Sequence, residues 1–141
     1  MPRFETTITI KAPAQMIWEI LVDAANWPAW NSTVDKVDGT IAPGESITVY
    51  AKVNPGRAFP VKVTEFAAPQ RMVWTGGMPL GLFKGVRTYT LTSRDEGETE
   101  LTMSEEYSGL LAGMMTRSIP DLQPAFDEFA RSLKAKAEAP G

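Results

Sequence analysis

The chain has 141 residues and a mass of 15.4 kDa, the size of one globular domain. Hydrophobic residues make up 43% and charged residues 22%, which are ordinary values for folded proteins and exclude wholesale disorder. The net charge of -3 argues against nucleic acid or an anionic membrane surface as the main partner. No apolar run has the length of a membrane-spanning helix, and the N-terminus lacks a signal pattern. We therefore expect a cytoplasmic protein with a single domain over residues 1–138 and a frayed tail at residues 139–141.

Two residue types are missing altogether. The absence of cysteine excludes disulfides, thiolate nucleophiles and cysteine metal sites. The absence of histidine excludes Ser-His-Asp catalysis and most zinc sites. Any catalysis would have to use carboxylates, Lys, Arg, Tyr, Ser, Thr or bound water. We expect neither a metal ion nor an organic cofactor.

The predicted elements begin with one strand and two short helices. Residues 4–10 alternate between apolar and polar side chains, which predicts a half-buried strand. Pro13 fits the first position of a helix, and apolar residues recur at helical spacing up to about Asp23. Residues 27–31 then predict a short helical turn or a tight loop.

Six further strands follow, because the apolar pattern changes to a period of two. They are predicted at residues 33–40, 45–53, 58–66, 71–76, 83–93 and 98–108. Short turns rich in Pro, Gly and Asp separate most of these segments, which predicts an antiparallel meander.

The last predicted element is a long C-terminal helix. Leu122, Phe126, Phe129 and Leu133 fall at helical spacing on one face. Since Pro120 and Pro124 fit only in a first turn, the helix should begin at residues 118–121 and end near residue 138. It is the only predicted element long enough to cover the apolar face of a seven-stranded sheet.

The last two predicted strands place two opposite charges together. If their hairpin is centred on Glu96, Tyr89 lies opposite Met103 and Arg87 lies opposite Glu105 on the inward face. The pair could orient a polar group of a ligand inside a cavity, or it could be a structural ion pair. Other carboxylates fall in turns or on outward phases, which indicates a solvated surface.

Aromatic and methionine side chains are the second signal, because many fall on inward phases or at strand ends. They could simply fill a core, yet methionine is a flexible filler that suits a surface able to repack around guests. With the charged pair, the candidate ligand-binding residues are Trp27, Trp30, Phe59, Met72, Trp74, Met78, Arg87, Tyr89, Met103, Glu105, Tyr107, Met114, Leu122, Phe126 and Phe129.

Two glycine-flanked apolar segments, residues 76–83 and 109–115, are predicted as loops. They could form the rim or lid of a pocket, an association surface, or well-packed loops. Neither contains a phosphate-binding motif.

The order of several motifs resembles a known family. They are ITIKAP at 8–13, WPAWN at 27–31, RMVW at 71–74, FKGVRTYTL at 83–91 and TELTMSEEYSGL at 99–110. Together they resemble SRPBCC proteins, the START and birch-pollen-allergen-like superfamily, in its polyketide cyclase/dehydrase-like branch. The resemblance implies an α+β helix-grip fold, in which a seven-stranded antiparallel sheet wraps around a long C-terminal helix, with two short helices after the first strand.

The same resemblance implies a hydrophobic cavity. Members bind lipids, sterols, polyketides or other apolar small molecules, and some cyclise or dehydrate their ligands. In this branch the position matching Arg87 is often His or Arg, and the one matching Glu105 is often acidic. The lack of histidine in this chain departs from the enzymes that use one as acid or base.

These observations leave three functional hypotheses. The first is a monomer or homodimer that binds a hydrophobic small molecule between sheet and helix. The second is a cyclase or dehydratase in which Arg87 stabilises an enolate and Glu105 or Tyr107 moves a proton. Against it, a base needs a raised pKa, which a neighbouring arginine lowers. The third is a protein-interaction module, which would have a filled interior and an apolar outer patch.

Overall fold

The computed structural model describes residues 3–52, 58–78, 80–94, 97–111 and 122–139. In chain order the elements are β1 (Arg3–Ile10), α1 (Ala14–Leu21), a 3-10 turn (Ala24–Asn26), α2 (Trp27–Trp30), β2 (Val34–Asp38), β3 (Ser46–Ala51), β4 (Phe59–Ala67), β5 (Arg71–Met78), β6 (Phe83–Ser93), β7 (Thr99–Ser108) and α3 (Gln123–Glu138). None of the helices in these ranges combines the length and apolar content needed to cross a bilayer.

The strands form one sheet of seven, in the order β1-β7-β6-β5-β4-β3-β2. Every pair of neighbours is antiparallel, and β2 to β7 form an uninterrupted meander. Because β1 pairs with β7, the segment holding α1 and α2 connects the two edges of the sheet. The predicted α+β helix-grip architecture is confirmed.

Several predicted boundaries are wrong by one to five residues. Helix α1 begins after Pro13, whose extended backbone (ψ 149°) makes it the N-cap. Strand β2 is shorter than predicted at both ends, whereas β5 continues to Met78 because residues 76–78 pair with β6. Helix α3 begins at Gln123 and keeps Pro124 in its first turn, where no intrahelical N–H bond is required. Residues 118–121, where its start was predicted, lie outside the described residues.

Helix α3 provides the largest apolar face that covers the sheet. Its buried residues include Phe126, Phe129 and Leu133, the face that the spacing predicts, with Leu122 buried just before the helix. The helix packs mainly against β1 and α1, at one side of the sheet. Strands β3 and β4 lie farther from it in the strand order, so the curved sheet and the helix leave space between them.

Truncation of the buried helix face should destabilise the fold. Leu133 has no exposed surface, so Leu133→Ala removes packed methyl groups and leaves a cavity. We expect a loss of about 2–5 kcal/mol in the free energy of unfolding, measured by urea denaturation. The control is Arg131→Ala on the same helix, whose exposed ion pair with Glu128 should contribute less than about 1 kcal/mol. Equal losses for the two variants would contradict this account of the packing.

Candidate functional site

A cavity of about 230 Å³ lies between the inner face of the sheet and the N-terminal half of α3. Its lining is predominantly apolar, and Arg87 and Glu105 are the only charged residues among the described side chains around it. Strands β3 to β7, residues 27–33 and α3 contribute the lining. The described lining residues are Trp27, Asn31, Thr33, Val49, Ala51, Phe59, Pro60, Val61, Trp74, Gly76, Gly77, Phe83, Gly85, Arg87, Met103, Glu105, Tyr107, Leu122, Ala125, Phe126 and Phe129.

Two glycines leave room on the inner face of the sheet. Gly76 of β5 pairs with Gly85 of β6, which pairs with Tyr107 of β7. The two glycines have the same strand phase as the inward residues Trp74 and Arg87, yet neither carries a side chain. A Cβ at Gly85 would lie 3.4 Å from the Tyr107 ring, an ordinary contact distance. The absence of side chains in this row therefore helps to keep the cavity open.

Arg87, Glu105 and Tyr107 form a connected polar group in the cavity wall. Arg87 Nε donates to Glu105 Oε1 at 3.1 Å, and the Tyr107 hydroxyl donates to Glu105 Oε2 at 2.5 Å. The Arg87 and Glu105 side chains are only 24% and 15% exposed. The guanidinium carbon also lies 5.0 Å from the centre of the Phe126 ring, within cation–π range. The predicted cross-strand pairing of Arg87 with Glu105 is confirmed.

The electrostatics of the group raise the pKa values of its arginine and of its tyrosine. Burial alone would lower the pKa of Arg87, but the Glu105 carboxylate and the neighbouring Tyr89 together raise it above the ordinary arginine value. Burial raises the pKa of Tyr107, and the adjacent Glu105 carboxylate raises it further. Burial likewise raises the pKa of Tyr89, with Arg87 opposing that change in part. Arg87 therefore stays cationic and Tyr107 stays a neutral donor near neutral pH.

Aromatic rings form the opposite side of the cavity. Trp27 stacks on Trp74 with ring centres 5.5 Å apart, and Phe129 of α3 packs against Trp27 at 5.6 Å. Near the polar group, Phe83 stacks on Tyr107 at 5.7 Å. Rings in contact with one another have few available rotamers, so these walls are rigid surfaces for a flat apolar guest.

Two buried N–H groups of lining residues have no hydrogen-bond partner. Trp74 Nε1 and Asn31 Nδ2 are both buried, and neither donates to any group in the described part of the chain. The Asn31 amide oxygen is satisfied, because it accepts from the backbone N–H of Thr33 at 2.9 Å and from its hydroxyl at 2.6 Å. Trp27 differs, since its Nε1 donates to the Leu21 carbonyl at 3.0 Å. An unpaired buried N–H costs about 1–3 kcal/mol relative to a paired one.

Ten of the fifteen candidate ligand-binding residues line the cavity, and three others do not. Met72 and Tyr89 were expected to line it, but both are fully buried in the packed core, where they pair with each other across β5 and β6. Trp30 packs against Trp27 and Phe129 and borders a separate surface hollow between the helices. Met114 lies outside the described residues, and Met78 is placed only as the last residue of β5. The ten lining residues are Trp27, Phe59, Trp74, Arg87, Met103, Glu105, Tyr107, Leu122, Phe126 and Phe129.

Sequence reasoning missed a second set of lining residues. Asn31 follows the tryptophan-rich turn, and Val49 and Val61 lie on strands whose curvature no local pattern reveals. Ala125 lies one residue before Phe126 and lines the cavity beside it. Gly76 lies within the predicted strand at residues 71–76 and on the same phase as Trp74, so the alternation of side chains alone indicates its inward position. The residues missed are Asn31, Thr33, Val49, Ala51, Pro60, Val61, Gly85 and Ala125, whereas Gly76, Gly77 and Phe83 were outside the candidate set but belong to the segment predicted as a possible rim.

The two glycine-flanked segments meet at one end of the sheet. The N–H groups of Leu110 and Leu111 donate to the carbonyls of Gly81 and Leu82 at 3.1 and 2.7 Å. Of the first segment, Gly76, Gly77 and Phe83 line the cavity, as expected for a rim, although residues 76–78 belong to β5 rather than to a loop. Leu80 is 91% exposed and Leu110 is 83% exposed. Residues 112–115 lie outside the described residues.

Comparison with known proteins places the chain in a family. Residues 1–138 match the family described as polyketide cyclase / dehydrase and lipid transport. The chain belongs to this family. The resemblance to SRPBCC and START-like proteins is thereby confirmed.

Three relatives illustrate the range of the polyketide cyclase/dehydrase family fold. Oxopyrrolidines biosynthesis cluster protein O of Penicillium oxalicum is 28% identical over 131 residues, covering 75% of this chain and 62% of that protein. The Zhui aromatase/cyclase of Streptomyces sp. R1128 superposes with a TM-score of 0.72 at 14% identity, over 97% and 93% of the two chains. A START superfamily protein of Mycobacterium smegmatis gives 0.71 at 16% identity, over 96% and 97%. The chain thus spans less than two thirds of its fungal relative, and the two structures establish the fold alone.

The free energy of unfolding at alkaline pH should depend on the buried Tyr107 hydroxyl. A tyrosine whose pKa is raised by folding stays protonated when its unfolded counterpart, with a pKa near 10, ionises. Its stabilising contribution is therefore complete below about pH 10 and declines as the pH rises further. Urea denaturation should show a steeper loss of stability above pH 10 in the wild type than in Tyr107→Phe.

The same titration contains its own control. Between about pH 7 and pH 9 the tyrosine is protonated in both folded and unfolded chains, so the stability difference between wild type and Tyr107→Phe should be constant there. A difference that stays constant up to pH 11 would contradict the buried hydroxyl.

Proposed function

We propose that the protein binds a hydrophobic small molecule, of the polyketide-like or aromatic kind, in the cavity between sheet and α3. The observation that carries the proposal is the apolar cavity of about 230 Å³ with one paired cation and anion in its wall. Membership of a polyketide cyclase/dehydrase and lipid transport family supports the same chemical class of ligand. A protein-interaction module would have a filled interior, so the cavity favours the small-molecule hypothesis over that alternative.

The free energy gained by burying apolar ligand surface is large enough to support binding. Burial of apolar surface contributes about 25 cal/mol per Å², so a ligand that buries about 300 Å² gains about 7 kcal/mol before association costs. Aromatic walls that are already rigid lose little conformational entropy on binding. The paired charges lower the affinity little, because each remains neutralised by the other inside the cavity.

A cavity-filling substitution tests this proposal directly. Ala125 lines the cavity from α3, whereas Ala135 is exposed on the same helix. Ala125→Phe should abolish the co-purification of apolar compounds detected by mass spectrometry of organic extracts, and should weaken binding of added aromatic ketones at least tenfold. Ala135→Phe is the matched control, which should bind as the wild type does.

A second cavity-filling variant keeps the test valid if Ala125→Phe fails to fold. Gly85→Val adds volume from the sheet side, where a Cβ would meet the Tyr107 ring at 3.4 Å and the Gly76 carbonyl oxygen at 3.9 Å, both ordinary contact distances. Circular dichroism and thermal melting establish that each variant is folded. Unchanged binding by both folded variants would refute binding in this cavity.

The ion pair should contribute to stability and to ligand orientation in separable amounts. Glu105→Gln leaves the Arg87 guanidinium without its counter-charge in a half-buried setting, which should lower the free energy of unfolding by about 1–3 kcal/mol. If the pair also orients a ligand, affinity for a polar aromatic ligand should fall as well. A loss of stability with unchanged affinity would assign the pair a structural role only.

An enzymatic role is the second candidate, and the contact of Tyr107 with Glu105 favours it. A hydroxyl hydrogen-bonded to a carboxylate at the cavity wall could transfer a proton to or from an enolisable ligand. Against this, both oxygens of Glu105 are already engaged, one by Arg87 and the other by Tyr107. Turnover of an aromatic polyketide-like ketone should be measured with Glu105→Gln beside the wild type. Activity that survives the substitution would eliminate Glu105 as the base.

A further inference from the structure

Phe59 differs from the other aromatic residues of the cavity wall. It is the first residue of β4, and its side chain is 40% exposed, whereas most of the other lining rings are buried. We infer that Phe59 is the gate of the cavity, and that a ligand enters and leaves past its ring while α3 stays in place on the sheet. The gate rests on the proposed binding in the cavity, and it adds the route of exchange and the residue that controls its rate.

Burial decreases along β4 toward one end of the cavity. Val63, Val61 and Phe59 share the inward phase of this strand, and they are buried, half-buried and exposed in that order. Gly77, a lining residue near the end of the antiparallel strand β5, is exposed as well. Lining residues that are also exposed mark the side on which a cavity meets solvent. This mouth therefore lies where β4 begins and β5 ends.

The ring of Phe59 lacks the contacts that hold the other aromatic walls. Phe83 lies at the same end of the sheet, yet it stacks on Tyr107 with ring centres 5.7 Å apart. Phe59 contacts no other ring in the described part of the chain. Exposed side chains change rotamer within nanoseconds. The Phe59 ring can therefore turn away from the mouth without disturbing the packing of the walls.

Helix α3, in contrast, is held on β1 from its first turn to its last. Four hydrogen bonds of 2.8–3.0 Å connect the helix with β1 and with the residue that follows it. They join Gln123 Nε2 to the Glu5 carbonyl, Thr6 Oγ1 to Asp127 Oδ1, Lys134 Nζ to the Thr9 carbonyl, and the Lys11 N–H to Glu138 Oε2. Displacement of α3 would break these bonds and expose its buried apolar face. Rotation of one exposed ring is the less costly way to open the cavity.

Stopped-flow fluorescence with N-phenyl-1-naphthylamine, an uncharged apolar dye, tests the gate on the purified full chain. Phe59→Ala removes the ring, so the association and dissociation rate constants should both rise about threefold or more, while Kd changes less than either. Phe59→Trp should lower both rate constants. Val49→Ala is the matched control, because Val49 pairs with Phe59 and lines the cavity but is buried. It should accelerate dissociation alone, since it removes a contact without widening the mouth.

A disulfide can test whether α3 moves, because the chain has no cysteine of its own. Thr6→Cys combined with Asp127→Cys replaces the two side chains that bond at 3.0 Å between β1 and α3. Oxidation, followed by mass spectrometry, should join the helix to the strand, and reduction of the same protein is the control. We expect the oxidised and reduced forms to bind the dye with the same association rate constant. Slower association after oxidation would overturn exchange past Phe59.

A measurement without any ligand tests the same gate. Trp27 and Trp74 line the cavity and are buried, so acrylamide, a small neutral quencher, reaches their rings only by entering the protein. Phe59→Ala should increase the quenching of tryptophan fluorescence by acrylamide. Val49→Ala should leave the quenching at the wild-type value.

The outcomes separate the gate from the proposed function. A rise in the dissociation rate constant alone in Phe59→Ala would make Phe59 an ordinary contact residue and overturn the gate. Dye binding that persists in folded Ala125→Phe, or no dye binding at all, would count against the proposed function. Acrylamide quenching then decides the gate by itself, because unchanged quenching in Phe59→Ala, shown to be folded by circular dichroism, would overturn it.

Discussion

The pairing of Arg87 with Glu105 inside an otherwise apolar sheet face is the interaction on which the site depends. Strand alternation places both side chains inward, where a charge left without its partner would destabilise the fold. Mutual pairing, with Tyr107 as a further donor, satisfies the carboxylate on both oxygens. The sheet thereby carries polar groups into its interior without requiring bulk water, which leaves the remaining wall free to be apolar.

The cavity results from the way a single helix covers a seven-stranded sheet. Helix α3 packs mainly on β1 and α1, and it also reaches β6, where Phe129 contacts Tyr89. Large side chains could have filled the resulting gap, but the paired positions Gly76 and Gly85 contribute none. The tryptophans that line the other side are held by contacts among themselves and with Phe129. An empty volume persists because the surrounding rings cannot collapse into it without breaking their own packing.

The sequence predicts which residues lie opposite each other in the last hairpin. It does not predict whether an inward side chain lines the cavity or is buried in the packed core. The hairpin centre at Glu96 correctly predicts Arg87 opposite Glu105, because register in a short hairpin is a local property. The alternation of side chains predicts which face of the sheet each residue occupies. It does not predict which part of a strand the helix covers. Met72 and Tyr89 therefore share the inward face with Trp74 and Arg87, yet both are fully buried in the packed core and do not line the cavity. Residues such as Asn31 and Val49 were missed because only the curvature of the whole sheet brings them to the same space.

The same contacts that make the polar group stable make it a better recognition element than a base. Catalysis by proton transfer requires a carboxylate oxygen free to reach the proton of a ligand, whereas both oxygens of Glu105 accept hydrogen bonds from Arg87 and Tyr107. Raised pKa values keep the hydroxyls of Tyr89 and Tyr107 protonated near neutral pH, so they are donors rather than bases. The cavity wall therefore combines a paired cation and anion, a hydroxyl that already donates to the anion, and aromatic rings packed against one another.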